Sequence, residues 1–186
     1  MNSRLAAIAE EFGISGASLL ARGLHECEEA ECLEVAESGA DGREHLLVTA
    51  AAQAWRTLKA AALRDGVKLF IVSAFRSIER QAEIIRRKLD AGATIEEVLA
   101  VCAPPGCSEH HTGRAIDLST PGSRALEVEF EQTAAFAWLA EHAGEFGYYL
   151  SYPMGNRCGY QYEPWHWCFN ETTVNLTAST VAPKQA

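Results

Sequence analysis

The spacing of apolar positions along the chain predicts a mixture of helices and short strands. From residue 46 to residue 64 the apolar side chains recur on one side of a helix, and Asp65-Gly66 ends it. The next run, 67–72, is short and rich in β-branched and aromatic residues, which is typical of a buried strand. The same criteria predict further helices over 78–89, 95–102 and 133–143 and further strands over 114–118, 148–152 and 159–169, the last one broken by Pro164.

Two of the predicted strands carry or lead to polar residues that are candidates for a functional site. The first strand leads into a loop that carries Arg76 and opens the next helix, a position where folds of strands and helices commonly hold working residues. In the second strand, Asp117 lies on the face opposite Ile116 and Leu118. The alternation therefore points the Asp117 carboxylate away from the packed apolar face.

The regions outside these elements carry weaker patterns. Residues 3–22 show apolar spacing of roughly helical period and predict a helical N-terminal arm packed on the main body. The stretch 26–44 is rich in acidic residues and ends in a glycine-containing turn, so we interpret it as a solvated loop. The expected organisation is a helical arm and acidic loop over 1–44, one main domain over 45–170 and a flexible tail over 171–186.

The composition limits the classes of protein to which the chain can belong. Its 186 residues, 48% hydrophobic and 22% charged, are enough for one compact globular domain and too few for two ordinary ones. A net charge of −9 argues against a nucleic-acid binder, because such proteins cluster Lys and Arg against phosphates. No run approaches the ~20 apolar residues that cross a bilayer. No pattern in the sequence specifies an oligomeric state.

The N-terminus and the cysteines bear on the compartment. Acidic residues follow soon after Ile8, where a secretory leader would continue its apolar stretch. We therefore expect a cytoplasmic protein from the chain as given, or a periplasmic or extracellular one if a leader was removed. The six cysteines form three close pairs that would permit short disulfides in an oxidising compartment, and free thiols are the alternative that we favour. The pairs are Cys27 with Cys32, Cys102 with Cys107, and Cys158 with Cys168.

Two histidine-containing segments carry the candidate chemistry. His110 precedes Asp117 in a polar loop, and His166 follows shortly after Glu163. Catalytic zinc usually takes three ligands from His, Asp, Glu or Cys and works with a nearby base, so these residues could supply both. The alternative is structural: a surface carboxylate at Glu163, a packed imidazole at His166 and a turn cap at Asp117. A cysteine protease finds no orienting motif in this sequence.

Three short motifs together resemble those of a known family. They are Ser73-x-Phe75-Arg76-Ser77, Ser108-x-His110-x-x-Gly113-x-Ala115-x-Asp117 and Glu163-x-Trp165-His166. In this order, over residues 45–170, they resemble the zinc D-Ala-D-Ala carboxypeptidases and dipeptidases of the VanY and VanX type, relatives of the hedgehog signalling domain. The resemblance implies an α+β fold, a single domain with a small, mainly antiparallel sheet flanked by helices. It makes 45–170 the zinc peptidase catalytic domain.

The resemblance also implies roles for individual residues. Carried over position by position, it implies one catalytic Zn²⁺ held by His110, Asp117 and His166. It implies that Glu163 is the catalytic base. It places Arg76 against the substrate, where a permanently charged guanidinium would stabilise the negative charge of the tetrahedral intermediate.

Four further positions match or depart from the family pattern. Ser108 matches a serine beside the metal and is expected to hydrogen-bond the terminal group of the substrate peptide, with a loop cap as the alternative. Gln81 matches a position that is often polar, and Phe75 stands where tyrosine is frequent. His111 stands where glutamine is frequent, and it could line the pocket or compete for the metal. Neighbouring residues in an extended loop point in opposite directions, so the motif favours His110 as the ligand.

The function implied by the resemblance is that of a zinc-dependent D-alanyl-D-alanine carboxypeptidase. Such an enzyme removes the C-terminal D-alanine from peptidoglycan stem peptides or their fragments. The expected partner is a stem peptide or another peptide that ends in D-Ala, with no nucleic acid and no membrane span. An L,D-carboxypeptidase or a peptidoglycan endopeptidase would use the same zinc site with different pocket walls. A non-catalytic hedgehog-like zinc-binding module is a third alternative, and Glu163 argues against it because a structural zinc needs no free carboxylate beside it.

Overall fold

A computed structural model describes residues 9–171 and shows helices packed around two antiparallel sheets. The helices are α1 (Gly16–Ala21), α2 (Thr49–Arg64), α3 (Ile78–Asp90), α4 (Ile95–Val101) and α5 (Ala134–His142). The strands are β1 (Glu34–Ser38), β2 (Glu44–Leu47), β3 (Phe70–Ser73), β4 (Ala115–Ser119), β5 (Tyr148–Leu150) and β6 (His166–Phe169). Short 3₁₀ helices span Glu109–Thr112, Val128–Gln132 and Ala143–Phe146.

The larger sheet has the strand order β3–β4–β6–β5, and every neighbouring pair is antiparallel. Its strand β4 is buried along its whole length. Ile116 and Leu118 belong to the main hydrophobic core together with Trp55 of α2. Asp117 lines a cleft on the opposite side of the sheet, as the alternation predicts. The predicted α+β architecture, a small antiparallel sheet flanked by helices, is confirmed.

A second core joins α3 and α4 to the N-terminal residues. The Ser77 hydroxyl caps α3 by accepting the Arg80 N–H, and Thr94 and Glu97 form the predicted capping box at the start of α4. The apolar faces of both helices then pack on one another and on residues 9–14. The buried members are Ala9, Phe12, Ile14, Ile78, Ala82, Ile85, Val98 and Cys102.

The acidic stretch 26–44 is not the solvated loop that we predicted, because it contains β1 and the start of the antiparallel hairpin that β1 forms with β2. The Glu37 carboxylate of β1 accepts the indole N–H of Trp55 at 3.0 Å and the backbone N–H of Ile71 at 3.3 Å. It also pairs with the Lys59 ammonium at 2.8 Å. Donors on α2 and β3 thus stabilise the Glu37 carboxylate within a packed strand. The composition of the segment does not show that these donors are nearby.

Two strands begin later than predicted. Strand β3 does not begin at residue 67, because the residues there form the C-terminal cap of α2. Gly66 has φ 81°, and the Val67 N–H donates to the Ala62 carbonyl at 2.8 Å. At β6, Pro164 has no N–H to donate to a strand partner. Upstream of it the Asn156 amide donates to the Tyr160 carbonyl at 2.8 Å. Residues 159–165 therefore form an irregular segment rather than the predicted strand.

Several predictions about the whole chain can be compared with the structure only for the residues that it describes. In the part of the chain that the structure describes, no helix is both long enough and apolar enough to cross a bilayer. All six cysteines lie in this part and all are free thiols, so none of the three close pairs is bonded and the alternative that we favoured agrees with the structure. The N-terminal residues 1–8 and nearly all of the predicted tail, 172–186, lie outside it. The division into 1–44, 45–170 and 171–186 stays a prediction.

Gly113 connects the 3₁₀ helix at 109–112 to β4 and occupies a crowded position. Its φ is 64°, in the left-handed region that favours glycine. A Cβ added there would lie 2.8 Å from Leu33 Cδ2 and 3.2 Å from the backbone nitrogen of Val48. The Val48 N–H also donates to the Gly113 carbonyl at 3.0 Å. The turn therefore needs glycine for its conformation and for this close approach.

We predict that Gly113→Ala lowers the free energy of unfolding by about 1–3 kcal/mol more than Gly42→Ala does. Gly42 is the matched control because its φ is 79° and a Cβ there would meet nothing within 4 Å. The backbone strain is common to both variants, so their difference reports the close approach alone. Urea denaturation measures it, and equal losses in the two variants would contradict the prediction.

Candidate metal centre

Asp117 and His166 are brought together by the pairing of β4 with β6, in which they are directly opposite one another. Side chains at opposite positions of an antiparallel pair lie on the same face and within contact distance. The Asp117 Oδ1 atom is 3.0 Å from His166 Nδ1, and both side chains are buried. Strand pairing thus joins two residues that are far apart in the sequence.

His110 reaches the same point from the 3₁₀ helix that precedes β4. Its Nε2 atom lies 3.2 Å from Asp117 Oδ2, and its Nδ1 atom lies 2.7 Å from the Ala74 carbonyl oxygen. A carbonyl can only accept, so Nδ1 carries the proton and a neutral His110 presents an unprotonated Nε2 to Asp117. The Arg76 N–H donates to the His110 carbonyl at 3.1 Å and fixes the backbone as well.

These three residues fit a metal ion. His110, Asp117 and His166 each offer one ligand atom, and these atoms lie within 4.8 Å of one another. Tetrahedral zinc, with bonds of about 2.0–2.2 Å, keeps its ligand atoms roughly 3.3–3.6 Å apart, somewhat closer than the 4.8 Å limit within which these atoms lie. Two imidazoles and one carboxylate are also a donor set of the kind that catalytic zinc uses, with a fourth position left open.

The electrostatics of the cluster favour positive charge at this point. Burial alone would raise the pKa of Asp117, but His110 and His166 outweigh it and hold that pKa well below its usual range. Burial likewise opposes a charged His166, yet hydrogen bonds to Asp117 and Glu109 raise its pKa to about 10. A cation between these carboxylates is therefore stabilised, and a divalent metal ion would meet the same field.

Glu163 lines the cleft beside these residues. Its Oε2 atom lies 3.9 Å from His166 Nδ1, and its backbone N–H donates to the Tyr152 carbonyl at 3.1 Å. Burial raises the pKa of Glu163 to about 7; the charge of His166 opposes the rise and that of Asp117 adds to it. A carboxylate with a pKa near neutrality can both accept and release a proton, as a general base must.

Arg76 is held at the edge of the cleft by a set of neutral acceptors. Its guanidinium donates to Gln81 Oε1 at 2.8 Å and to Ser73 Oγ at 3.0 Å, and it lies 3.7 Å from Asp117 Oδ2. Gln81 is fully buried, and its amide donates to the Ala103 carbonyl at 2.6 Å. Gln81 therefore helps to position the Arg76 guanidinium. The sequence indicated only that this position is often polar in the family.

Ser108 and His111 flank the histidine ligand candidate and differ in their surroundings. The buried Ser108 lines the cleft and its side chain does not cap the 3₁₀ helix, so it is not the loop cap that we considered. His111 is fully buried; its Nδ1 is 2.6 Å from the Arg76 carbonyl oxygen, and its Nε2 accepts the Gly106 N–H at 3.1 Å. Both ring nitrogens are used in this way, so His111 neither lines the cleft nor faces the ligand atoms.

The structure also adds residues that the sequence did not single out. Glu109 Oε2 lies 2.9 Å from His166 Nε2 and accepts the Ser151 hydroxyl at 2.6 Å. The ring of Tyr152 stacks on that of His166 with 4.7 Å between centroids. Only the position of Glu109 beside His110 could have hinted at its contact, because Ser151 and Tyr152 lie far away in the sequence.

The cleft beside the cluster has a volume of about 470 Å³. Its wall includes the three residues of the cluster together with Arg76 and Ser108. The remaining wall is mainly apolar or aromatic, with Lys88, Glu127 and Gln161 among its polar members. Its members include Val101, Leu126, Val128, Tyr162 and Trp165.

Comparison with known families agrees with this geometry. Residues 44–172, which include the whole cluster, match the sequence model described as VanY, D-alanyl-D-alanine carboxypeptidase. The chain belongs to the VanY family. The match begins within the hairpin, at the first residue of β2, and continues past the end of β6.

Individual members and structural neighbours of the VanY family resemble the chain to different extents. The putative carboxypeptidase YodJ of Bacillus subtilis is 36% identical over 119 residues, which cover 62% of this chain and 43% of that protein. The chain thus spans less than half the length of this relative. The structure of the LdcB LD-carboxypeptidase matches with a TM-score of 0.69 and 28% identity, covering 81% of this chain and 74% of that one. The D,D-pentapeptidase VanY from a VanB-type vancomycin resistance cassette, in complex with Zn(II), matches with a TM-score of 0.59 and 26% identity, covering 80% and 82%.

We predict that His111→Ala lowers the free energy of unfolding by about 2–5 kcal/mol. The change leaves the Gly106 N–H and the Arg76 carbonyl without their partner and opens a cavity. His25→Ala is the control; His25 is exposed, and its loss should change stability by no more than about 0.5 kcal/mol. Urea denaturation with a chelator present measures both variants without a contribution from metal binding. A His111→Ala variant as stable as the control would show that these two hydrogen bonds do not contribute to the free energy of unfolding.

Proposed function

We propose that this protein is a zinc-dependent D-alanyl-D-alanine carboxypeptidase that removes the C-terminal D-alanine from peptidoglycan stem peptides or their fragments. The observation that carries the proposal is the convergence of His110, Asp117 and His166 within 4.8 Å, beside Glu163 and Arg76 in one cleft. Membership of the VanY family supports the reaction class. The Zn(II) of the VanY structure supports the choice of metal.

The proposed ligands of the single zinc ion are His110, Asp117 and His166. Zinc bound there would supply a Lewis acid for the scissile carbonyl and would lower the pKa of the attacking water. The two imidazoles suit this role because each already uses its other ring nitrogen, His110 with the Ala74 carbonyl and His166 with Glu109. Their remaining nitrogens both point at Asp117.

Glu163 is the proposed general base. Its carboxylate takes a proton from the water as the water oxygen attacks the peptide carbonyl carbon. It then gives that proton to the leaving nitrogen as the C–N bond breaks, so the carboxylate is regenerated and the free amino acid departs. The pKa of about 7 supports this assignment, because it is close to the pH at which both transfers must occur.

Arg76 and Ser108 are the proposed substrate contacts. Arg76 would stabilise the negative charge that develops on the carbonyl oxygen, and its hydrogen bonds to Gln81 and Ser73 hold the guanidinium in place before substrate arrives. Ser108 lines the same cleft and is available to the terminal group of the peptide. The positive charge of Arg76 also gives an acidic protein a local site for an anionic substrate.

We predict that Glu163→Gln lowers kcat by about 10²–10⁴-fold, which is the usual contribution of a positioned general base. Glutamine has a similar shape and cannot accept the proton, so the zinc content of the purified variant should equal that of the wild type. Glu96→Gln, an exposed change on α4, is the control and should keep both activity and zinc. Near wild-type turnover by a zinc-loaded Glu163→Gln variant would rule out Glu163 as the base.

Purified muropeptides test the substrate directly. We expect mass spectrometry to show that pentapeptides ending in D-Ala-D-Ala lose one alanine and that a chelator abolishes the loss. Because the chain resembles the LdcB LD-carboxypeptidase, tetrapeptides are tested beside the pentapeptides. Shortening of tetrapeptides and not of pentapeptides would indicate an L,D-carboxypeptidase. Cleavage within cross-linked dimers would indicate an endopeptidase. A zinc-loaded protein that cleaves none of these would be a binding module, and the proposal would fail.

A further inference from the structure

Glu109 follows Ser108 and precedes His110, yet its side chain contacts a different strand. Its Oε2 atom lies 2.9 Å from His166 Nε2, the ring nitrogen that faces away from Asp117. The Ser151 hydroxyl donates to the same carboxylate at 2.6 Å. The Glu109 side chain is 25% exposed, whereas that of His166 is 3% exposed. A partly exposed carboxylate thus contacts a buried imidazole that lines the cleft.

The two imidazoles of the cluster have unequal partners. His110 donates its spare N–H to a neutral backbone carbonyl, that of Ala74. His166 has a carboxylate in the corresponding place. When Nδ1 of an imidazole holds a metal ion, Nε2 carries the proton, and a carboxylate that accepts this proton fixes the tautomer and makes the ring a better donor to the metal. Glu109 therefore acts on the ligand strength of His166 as well as on its orientation.

The contacts around Glu109 also fix its own position. Ser151 follows β5 and holds the carboxylate through its hydroxyl, while its backbone N–H donates to the His166 carbonyl at 3.4 Å. The next residue, Tyr152, stacks on the His166 ring. One face of the ring and its outer nitrogen are thus held by a short segment after β5 together with Glu109. Only Nδ1 remains directed at Asp117.

We propose that Glu109 is a positioning residue of the metal centre, which holds His166 as the Nε2-protonated tautomer with Nδ1 directed at the ligand set. The proposal rests on the proposed function for the identity of the metal. It does not require that any peptide be hydrolysed. Among the cluster residues, the Glu109 carboxylate makes its hydrogen bond with His166, so its effect on the metal centre passes through that ring.

Zinc affinity tests the role without substrate. Competition with a chromophoric chelator at fixed pH should give a dissociation constant for Glu109→Ala about 10–100-fold above that of the wild type. Glu109→Gln keeps the shape and an accepting oxygen but loses the charge, so it should fall between the two. Glu96→Ala, an exposed change on α4 away from the cluster, is the control and should stay within about threefold of the wild type. A wild-type dissociation constant in both Glu109 variants would overturn the proposal.

A spectroscopic readout separates positioning from general destabilisation. In the zinc-loaded protein, ¹⁵N resonances of the histidine rings should show the Nε2-protonated tautomer for His166 and the Nδ1-protonated tautomer for His110. In Glu109→Gln the His166 signals should broaden or shift while those of His110 stay in place. Ser151→Ala removes one of the two hydrogen bonds that hold the Glu109 carboxylate, so it should show a smaller change of the same kind. This variant also tests the proposal if Glu109→Ala does not fold. Unchanged His166 signals in both variants would contradict the proposal.

The outcomes also distinguish this proposal from the proposed function. If the wild type binds zinc and cleaves no muropeptide, the carboxypeptidase assignment fails and the affinity series still decides the role of Glu109. If the wild type cleaves muropeptides and Glu109→Ala binds zinc normally, the function stands and the positioning role fails. A wild type that binds no zinc would overturn both.

Discussion

The antiparallel pairing of β4 with β6 is the constraint on which the candidate site depends. It sets Asp117 opposite His166, and because side chains alternate along a strand, a shift of either strand by one residue would turn that strand's candidate ligand toward the hydrophobic core. Ile116 and Trp167, the neighbouring pair of the ladder, lie in that core and oppose such a shift. The register that buries the apolar side chains is therefore the register that brings the candidate ligands together.

This arrangement places several charges in a nearly dry environment, which is costly unless each has partners. Asp117 is contacted by two imidazoles and by the Arg76 guanidinium. Arg76 in turn is shared between Ser73 and Gln81, whose amide is itself satisfied by a backbone carbonyl. The polar cluster is thus a connected network rather than a set of isolated ion pairs. A network of this kind holds its charged groups at fixed positions, and it depends on fully buried residues such as Gln81.

Helix positions and the candidate ligand motif followed from local patterns, whereas the connections between segments did not. The capping box at Thr94 and the turn at Gly113 are local signals, and both are confirmed. We predicted a solvated loop where β1 and β2 form a hairpin, because acidic residues are typical of such loops. The donors that accommodate Glu37 in the strand lie on α2 and β3, far from it in the sequence. His111 was hard to assign for a similar reason: its partners are a backbone carbonyl and a backbone N–H, which no pattern of side chains encodes.

The segment that precedes Gly113 shows why adjacent residues of one motif can serve separate purposes. Glu109 contacts His166 on β6, His110 contacts Asp117 on β4, and His111 contacts the carbonyl of Arg76 after β3. A 3₁₀ helix turns by about a third of a circle per residue, so three consecutive side chains point in three directions. The short helix therefore ties three neighbouring parts of the fold to one another at the place where the ligand atoms meet. Flexibility in this segment would change all three contacts together, which explains why its exit is fixed by a glycine in a crowded, left-handed turn.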